Sequence, residues 1–301
     1  FSIAFNIYYE YYNFLLIGKG AIMESKIAMV VSKAIYVVLT FLFLNIGWGL
    51  KGVVLANFIA PFVNRFISYK FLFTKEFKTQ IEMFYITKEE IQRTFAIIWY
   101  NAKKLGLVFM GGYVITKFSM FLVGIYLTSE QIASYGLMIQ LVGVISAVAT
   151  TFFSTYQPKF AVLRVEGNEN AFVRLFAFSM GVFFLIFILG ALAIIFIGNT
   201  LLEFIHSNAF LPNTKILILY VLIILLEANH SNFATIIVTN NTIPFVKPAL
   251  LSGVLILIGS FIILHFTSLA IMGLVIVQGI CQLAYNNWKW PLVVLKEFHL
   301  N

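Results

Sequence analysis

Nine times along the chain a run of predominantly apolar residues, most of them about 20 long, gives way to a short polar break. That is the length a helix needs to cross the roughly 30 Å of hydrocarbon in a bilayer. The runs cover 1–17, 27–44, 49–73, 106–127, 132–156, 172–197, 217–238, 249–266 and 269–286. Most are about twice as long as a barrel strand and lack its in/out alternation, so helices are predicted. With 61% hydrophobic and 11% charged residues, against about 45–50% and about 25% in soluble domains, too few polar side chains exist to coat a soluble globule. The expected fold class is all-α and polytopic. The first run reads as the tail end of a helix and Phe1 is not a methionine, so we expect a chain lacking its N-terminal part.

The distribution of cations gives an independent check on the spans. Alternate connections hold Lys19 and Lys26, then Lys75, Lys78, Lys88 and Arg93, then Lys159, Arg164 and Arg174, then Lys247, and last Lys289 and Lys296. These are expected to be cytoplasmic. The intervening connections 45–48, 128–131 and 267–268 have no cation, and 198–213 is followed only by Lys215. The net charge of +8 is therefore read as a membrane signature, with no nucleic-acid partner expected. A single cysteine, Cys281, excludes a disulfide framework and any cysteine-based zinc site.

The longest polar break, 74–94, reads as an amphipathic cytoplasmic linker between two bundles. An ungapped shift of 221 residues lays 22–65 on 243–286 and matches Ile22 with Ile243, Lys26 with Lys247, Ala28 with Ala249, Gly52 with Gly273, Val54 with Val275 and Ile59 with Ile280. Loop, span, short turn and next span coincide without a gap. This relation predicts two parallel six-helix bundles. Twelve spans are expected in a full protein and about nine here: residues 1–73 as the last three helices of an N-terminal bundle, 74–94 as the linker, and 95–301 as a C-terminal six-helix bundle with a short cytoplasmic tail.

Charges at mid-depth are costly and mark functional candidates. Lys117 and Glu227 each lie in the middle of an apolar run. They can form an ion pair, share a polar cavity, or only fix helix packing. Lys103, Met110, Tyr113 and Lys117 follow intervals of seven, three and four, which places them on one helix face, with Lys103 roughly 21 Å below Lys117. This face could form a basic track from the cytoplasmic mouth for an anionic headgroup, although for Lys103 and Lys104 snorkelling to lipid phosphates is the better reading. Glu227, His230 and Ser231 share a face, with Asn229 and Asn232 beside them. A carboxylate and an imidazole one turn apart can relay a proton, or the histidine is simply hydrogen-bonded. Under the 221-residue shift Glu227 falls on Asn6 and Ser231 on Glu10, so Asn6, Glu10 and Asn13 form a second polar patch expected to face the same cavity.

Other motifs fail on context. Gly47, Gly49 and Gly52 satisfy G-x-G-x-x-G but lie in a turn between spans with no strand before them. Gly143, Ala147 and Thr151 read as small positions for close helix packing, and Pro61 and Pro158 as kinks or helix ends. No nucleotide-binding loop, metal cluster or nucleophile constellation is recognised, so no cofactor, no metal and no enzymatic activity are expected. A membrane-embedded polymerase or acyltransferase would carry a large outward loop of catalytic residues. The longest outward connection here offers only Glu203 and His206.

The chain resembles the O-antigen and capsular polysaccharide flippases of the multidrug/oligosaccharidyl-lipid/polysaccharide exporter superfamily. The likeness is carried by Gly18 through Lys26 into 27–44, by the Gly49-Leu50-x-Gly52 turn, by Ser129-x-x-Ile132-x-x-Tyr135-Gly136, by Leu226-Glu227-x-Asn229-His230 through Asn240-Asn241-x-x-Pro244-Phe245, and by Tyr285-Asn286-Asn287-Trp288-Lys289-Trp290-Pro291. Lys117 stands where many members carry an acidic or other polar residue. The resemblance implies a twelve-helix, two-lobed protein of the bacterial inner membrane. It would move a polyprenyl-pyrophosphate-linked oligosaccharide, an O-antigen or capsule unit, from the cytoplasmic to the periplasmic leaflet by alternating access, with polysaccharide polymerase machinery as a partner. The alternative within the same fold is a small-molecule/cation antiporter with Glu227 as its coupling carboxylate.

Overall fold

A peptide group in hydrocarbon has no water to bond with, so a spanning segment must satisfy its backbone internally. The computed structural model describes residues 2–83 and 86–298, and the side chains of all of these except 2–7, 82, 116 and 117. Among the described residues every regular element is a helix, as the apolar runs require. The chain forms two compact units, Phe1–Ile91 and Gln92–Asn301.

In the first unit, α1 (Ser2–Gly18), α2 (Ile22–Asn45) and α3 (Gly49–Leu72) are followed by the short polar α4 (Lys75–Met83). Small side chains make the contacts: Ser25, Ala28 and Ser32 of α2, and Gly52, Ala56 and Ala60 of α3, are buried. Large apolar ones point outward, with Val30 67%, Phe41 67% and Leu50 79% exposed. This inverts the arrangement of a soluble domain and suits a lipid surround. Buried Ser32 donates its hydroxyl to the Ala60 carbonyl at 2.7 Å, tying the hairpin together. Its turn needs glycine: Gly47 and Gly49 have φ of 86° and 52°, and a Cβ on Gly52 would lie 2.5 Å from Phe43 Cβ.

The second unit's helices begin with α5 (Lys88–Tyr113), a π-helical turn (Val114–Phe118) and α6 (Ser119–Tyr126). There follow α7 (Ser129–Thr155), α8 (Gln157–Val165) and α9 (Glu169–Phe204). The chain continues through α10 (Thr214–Val238), α11 (Val246–Phe266), α12 (Ala270–Leu283) and α13 (Asn286–Glu297). Its core includes Phe153, Phe160, Phe172, Phe183 and Phe187 from α7, α8 and α9. Caps set several helix starts. Thr128 and Gln131 form a reciprocal capping box for α7, and Asn168 and Asn213 accept backbone N–H groups at the starts of α9 and α10. At the start of α5, Glu90 accepts the Thr87 N–H at 2.9 Å and hydroxyl at 3.0 Å. These bonds hold its carboxyl below the usual carboxylate range, so this cap is intact above the unfolded-chain pKa and is lost as pH falls through the depressed folded value.

Each of the nine apolar runs is largely helical where described. Six helices are individually long and apolar enough to span: α2, α3, α7 continued through α8, α9, α10 and α11. The other runs fall short for visible reasons. Helix α1 has 17 residues and α12 has 14, while the run 106–127 is divided by the π turn. Pro158 marks a helix boundary, in keeping with its reading as a kink or helix end: α7 ends at Thr155, and the proline occupies the first turn of α8, where its missing N–H costs nothing. Two expectations are corrected. The run 269–286 ends at Leu283, and the chain breaks at Tyr285 before restarting as α13. Gly143, Ala147 and Thr151 line an exposed face, and a Cβ on Gly143 would meet nothing within 4 Å.

The close helix approach lies elsewhere. A Cβ on Gly111 of α5 would lie 2.7 Å from the Ala249 carbonyl oxygen of α11, and one on Gly253 would lie 3.1 Å from the Gly111 oxygen. The 221-residue relation also has a counterpart within each unit. Helices α2 and α11 end at Asn45 and Phe266, and α3 and α12 begin at Gly49 and Ala270. Ala270 adopts a φ of 47° beside 52° at Gly49. Gly52 N–H donates to Trp48 O at 3.4 Å as Gly273 N–H donates to Leu269 O at 3.3 Å.

Gly111→Ala should therefore force α5 off α11 and cost about 1–3 kcal/mol, read as a lowered melting temperature of purified protein. Gly143→Ala should leave it unchanged or raise it, since alanine is the better helix former.

Candidate functional site

Helix α10 carries a mid-helix polar band at Glu227, Asn229, His230, Ser231 and Asn232. Polar groups at that depth must find partners inside the protein, and Glu227 and His230 do so on α12 and α13. Gln278 Nε2 donates to Glu227 Oε1 at 2.8 Å. His230 Nδ1 lies 2.7 Å from Asn287 Oδ1. Asn232 turns the other way and donates to Met180 Sδ of α9 at 3.7 Å. Helix α12 reaches α10 because residue 279 is glycine: a Cβ there would lie 2.7 Å from Ile223 Cδ1.

Gln278, Gln282 and Asn286 follow at four-residue intervals and form a buried polar seam along α12 into α13. Asn286 Nδ2 donates to Ser252 Oγ of α11 and to Gln282 Oε1, both at 2.8 Å, and its Oδ1 accepts the Trp290 indole N–H at 3.2 Å. Asn287 Nδ2 is buried without a partner. Tyr135 of α7 and Tyr220 of α10, 2% and 5% exposed, stand within electrostatic reach of Glu227. Ser119, within electrostatic reach of Tyr135, donates its hydroxyl to the π-turn carbonyl of Ile115 at 3.1 Å. Among the described residues the one ion pair is Arg164–Glu297, which also engages Thr239 and Asn240 and ties α8, α10 and α13 at one end of the unit. Glu227 is thus a half-buried carboxylate bound by an amide. Among the described residues no group of three or more His, Cys, Asp and Glu is placed to hold a metal.

The sequence candidates are dispersed between the two units. Glu227 and His230 share the α10 face as expected, yet each engages an amide of α12 or α13. Asn229 is half-buried on the same helix. Lys117 lies in the π turn, and its side chain, like that of Asn6, is outside the described residues. A π turn bonds i to i+5, so Lys117 does not continue the α-helical register of Lys103, Met110 and Tyr113, and the single straight face expected for the four is broken. Tyr113 is exposed. Lys103 and Lys104 fold over the Tyr100 ring, with ammonium groups 5.7 and 3.9 Å from its centroid. Glu10 is exposed on α1 of the first unit, while Asn13 is buried and accepts the Ser68 hydroxyl at 2.9 Å. Sequence reasoning passed over Gln278 and Gln282. Their spacing with Asn286 inside an apolar run was the available signal.

No family model matches the chain, and no curated protein does. A crystal structure described as MATE in the bent conformation superposes with a TM-score of 0.61 over 99% of this chain, at 16% sequence identity. The chain has the MATE fold. It spans 66% of the length of that protein.

Asn286→Leu removes three hydrogen bonds and strands Gln282, Ser252 and the Trp290 indole. It should cost about 1–3 kcal/mol, visible as a lower melting temperature in detergent, whereas Asn229→Ala should leave the transition in place.

Proposed function

We propose that the protein is a transporter acting as a flippase. It moves a polyprenyl-pyrophosphate-linked oligosaccharide from the cytoplasmic to the periplasmic leaflet of the bacterial inner membrane by alternating access. The observation that carries the transport reading is the likeness to a MATE structure along nearly the whole chain. The sequence resemblance to polysaccharide flippases supplies the substrate class. Physically, a lipid-linked sugar needs polar groups at mid-depth for its head and apolar walls for its tail, and the band on α10 supplies the first within helices that supply the second.

In this reading residues 1–73 complete an N-terminal bundle, 74–94 join it to residues 95–301, and polysaccharide polymerase machinery receives the product. Lys117, Tyr113, Lys103, Glu227, His230, Asn229, Asn6 and Glu10 line the path of the head group. The protein performs no bond chemistry on its cargo. A second reading is favoured by one observation: Glu227 sits at mid-helix with Gln278 as its hydrogen-bond partner, an arrangement suited to the coupling carboxylate of a small-molecule/cation antiporter.

Deleting the full-length gene should cause complete lipid-linked repeat units to accumulate in the cytoplasmic leaflet, with loss of surface polysaccharide reversed by the wild-type gene. Unchanged glycan with altered drug or cation sensitivity would favour the antiporter. In complementation at equal expression, Lys117→Ala should lose more function than Lys103→Ala, and equal tolerance of both would remove the basic track.

A further inference from the structure

Helix α3 carries a cation that the basic track does not include. Arg65 lies 16 residues after Gly49 and seven before Leu72, about 24 Å and 10 Å along the axis. It therefore sits deeper than Lys70, Lys75 and Lys19, which mark the cytoplasmic end of this unit by the distribution of cations. Lys70 and Lys19 rest on Phe66 and Phe77 at 4.5 and 4.3 Å, in the manner of snorkelling lysines.

Arg65 is held differently. Its guanidinium stacks 4.6 Å from the centroid of the Tyr9 ring, with Tyr12 within electrostatic reach. Both tyrosines are buried, 7% and 6% exposed, so the platform under the guanidinium is fixed. The next turn of α3 is anchored to α1 as well, through the Ser68 hydroxyl donating to Asn13. Arg65 itself is exposed, and no carboxylate among the described residues pairs with it. A guanidinium has five N–H donors in a planar fork. With one face stacked on Tyr9, the fork retains donors and a charge for an external anion, in the geometry that suits a phosphate.

We propose that Arg65, oriented by Tyr9 and Tyr12, is a phosphate-binding site at the inner-leaflet side of the first unit. The ligand is a lipid-borne phosphate or diphosphate. Naming the lipid-linked substrate as its source rests on the flippase reading, while bulk anionic phospholipid offers the same chemistry.

Two probes separate these sources: undecaprenyl diphosphate and phosphatidylglycerol, each titrated by native mass spectrometry against the full-length protein, with Arg65→Gln, Arg65→Lys, Tyr12→Phe and Lys70→Gln as variants. Arg65→Gln should weaken binding about tenfold, with Arg65→Lys in between because a point charge replaces the fork. Tyr12→Phe should weaken it less, and Lys70→Gln should leave it unchanged. Weakening confined to the diphosphate supports a substrate site, and weakening of both probes supports a site for lipid phosphates in general. Unchanged affinity of Arg65→Gln for both, in protein that melts like wild type, overturns the proposal. Binding is read without transport, so loss of phosphatidylglycerol affinity in Arg65→Gln would stand even where the gene deletion leaves the glycan unaltered.

Discussion

Hydrocarbon offers no hydrogen-bond partner, and that constraint organises the molecule at two levels. On the backbone it selects helices. On the side chains it means that each polar group placed at depth needs a protein partner. The four-residue ladder of Gln278, Gln282 and Asn286 answers the band on α10, and Ser252, Trp290 and Asn287 extend it to α11 and α13. The same constraint explains why the contacts between the spans of the first unit are made by glycine, alanine and serine. With lipid as apolar as leucine, little is gained by hiding a large side chain, and close backbone approach becomes the source of cohesion.

The break at Tyr285 and the π turn at Val114–Phe118 are places where regular hydrogen bonding is given up. Both lie beside the polar seam. Ser119 takes up the Ile115 carbonyl of the π turn within electrostatic reach of Tyr135. Asn286 and Asn287 begin the helix after the break and supply two of the seam's amides. Irregular backbone in a membrane segment is tolerated where neighbouring side chains re-satisfy it, so departures from ideal geometry and concentration of polar groups have one origin. The paired turns at Gly49 and Ala270 belong to the same logic. A hairpin between spans has room for few residues, and both adopt a left-handed φ.

Much of this was legible in the sequence because run length and hydropathy are one-dimensional signals. The apolar runs gave the helices, and the cation distribution independently supported the same set of spans. The 221-residue shift pointed to the hairpins that do share turn geometry. What escaped was three-dimensional. Nothing in the residues 106–127 announces the π turn or the close approach to α11 at Gly111 and Gly253. Charged residues at mid-depth drew attention to themselves and to the amides beside them, whereas Gln278 lies in a run with no charged residue, so Glu227 was visible and its partner was not. Arg65 lay close enough to the cation-rich end of α3 to pass as a flank, and only its stacking on Tyr9 sets it apart.

Transport of a lipid-linked head group is the claim on which the functional account turns, and it is tested most directly in vesicles. Full-length protein would be reconstituted with a fluorescent polyprenyl-pyrophosphate oligosaccharide, and the fraction of its sugar accessible to an external hydrolase followed over time. The account predicts protein-dependent translocation that exhausts both leaflets and slows on substitution of Lys117. Accessibility confined to the outer leaflet, together with exchange of a small cation or drug in the same vesicles, would contradict it.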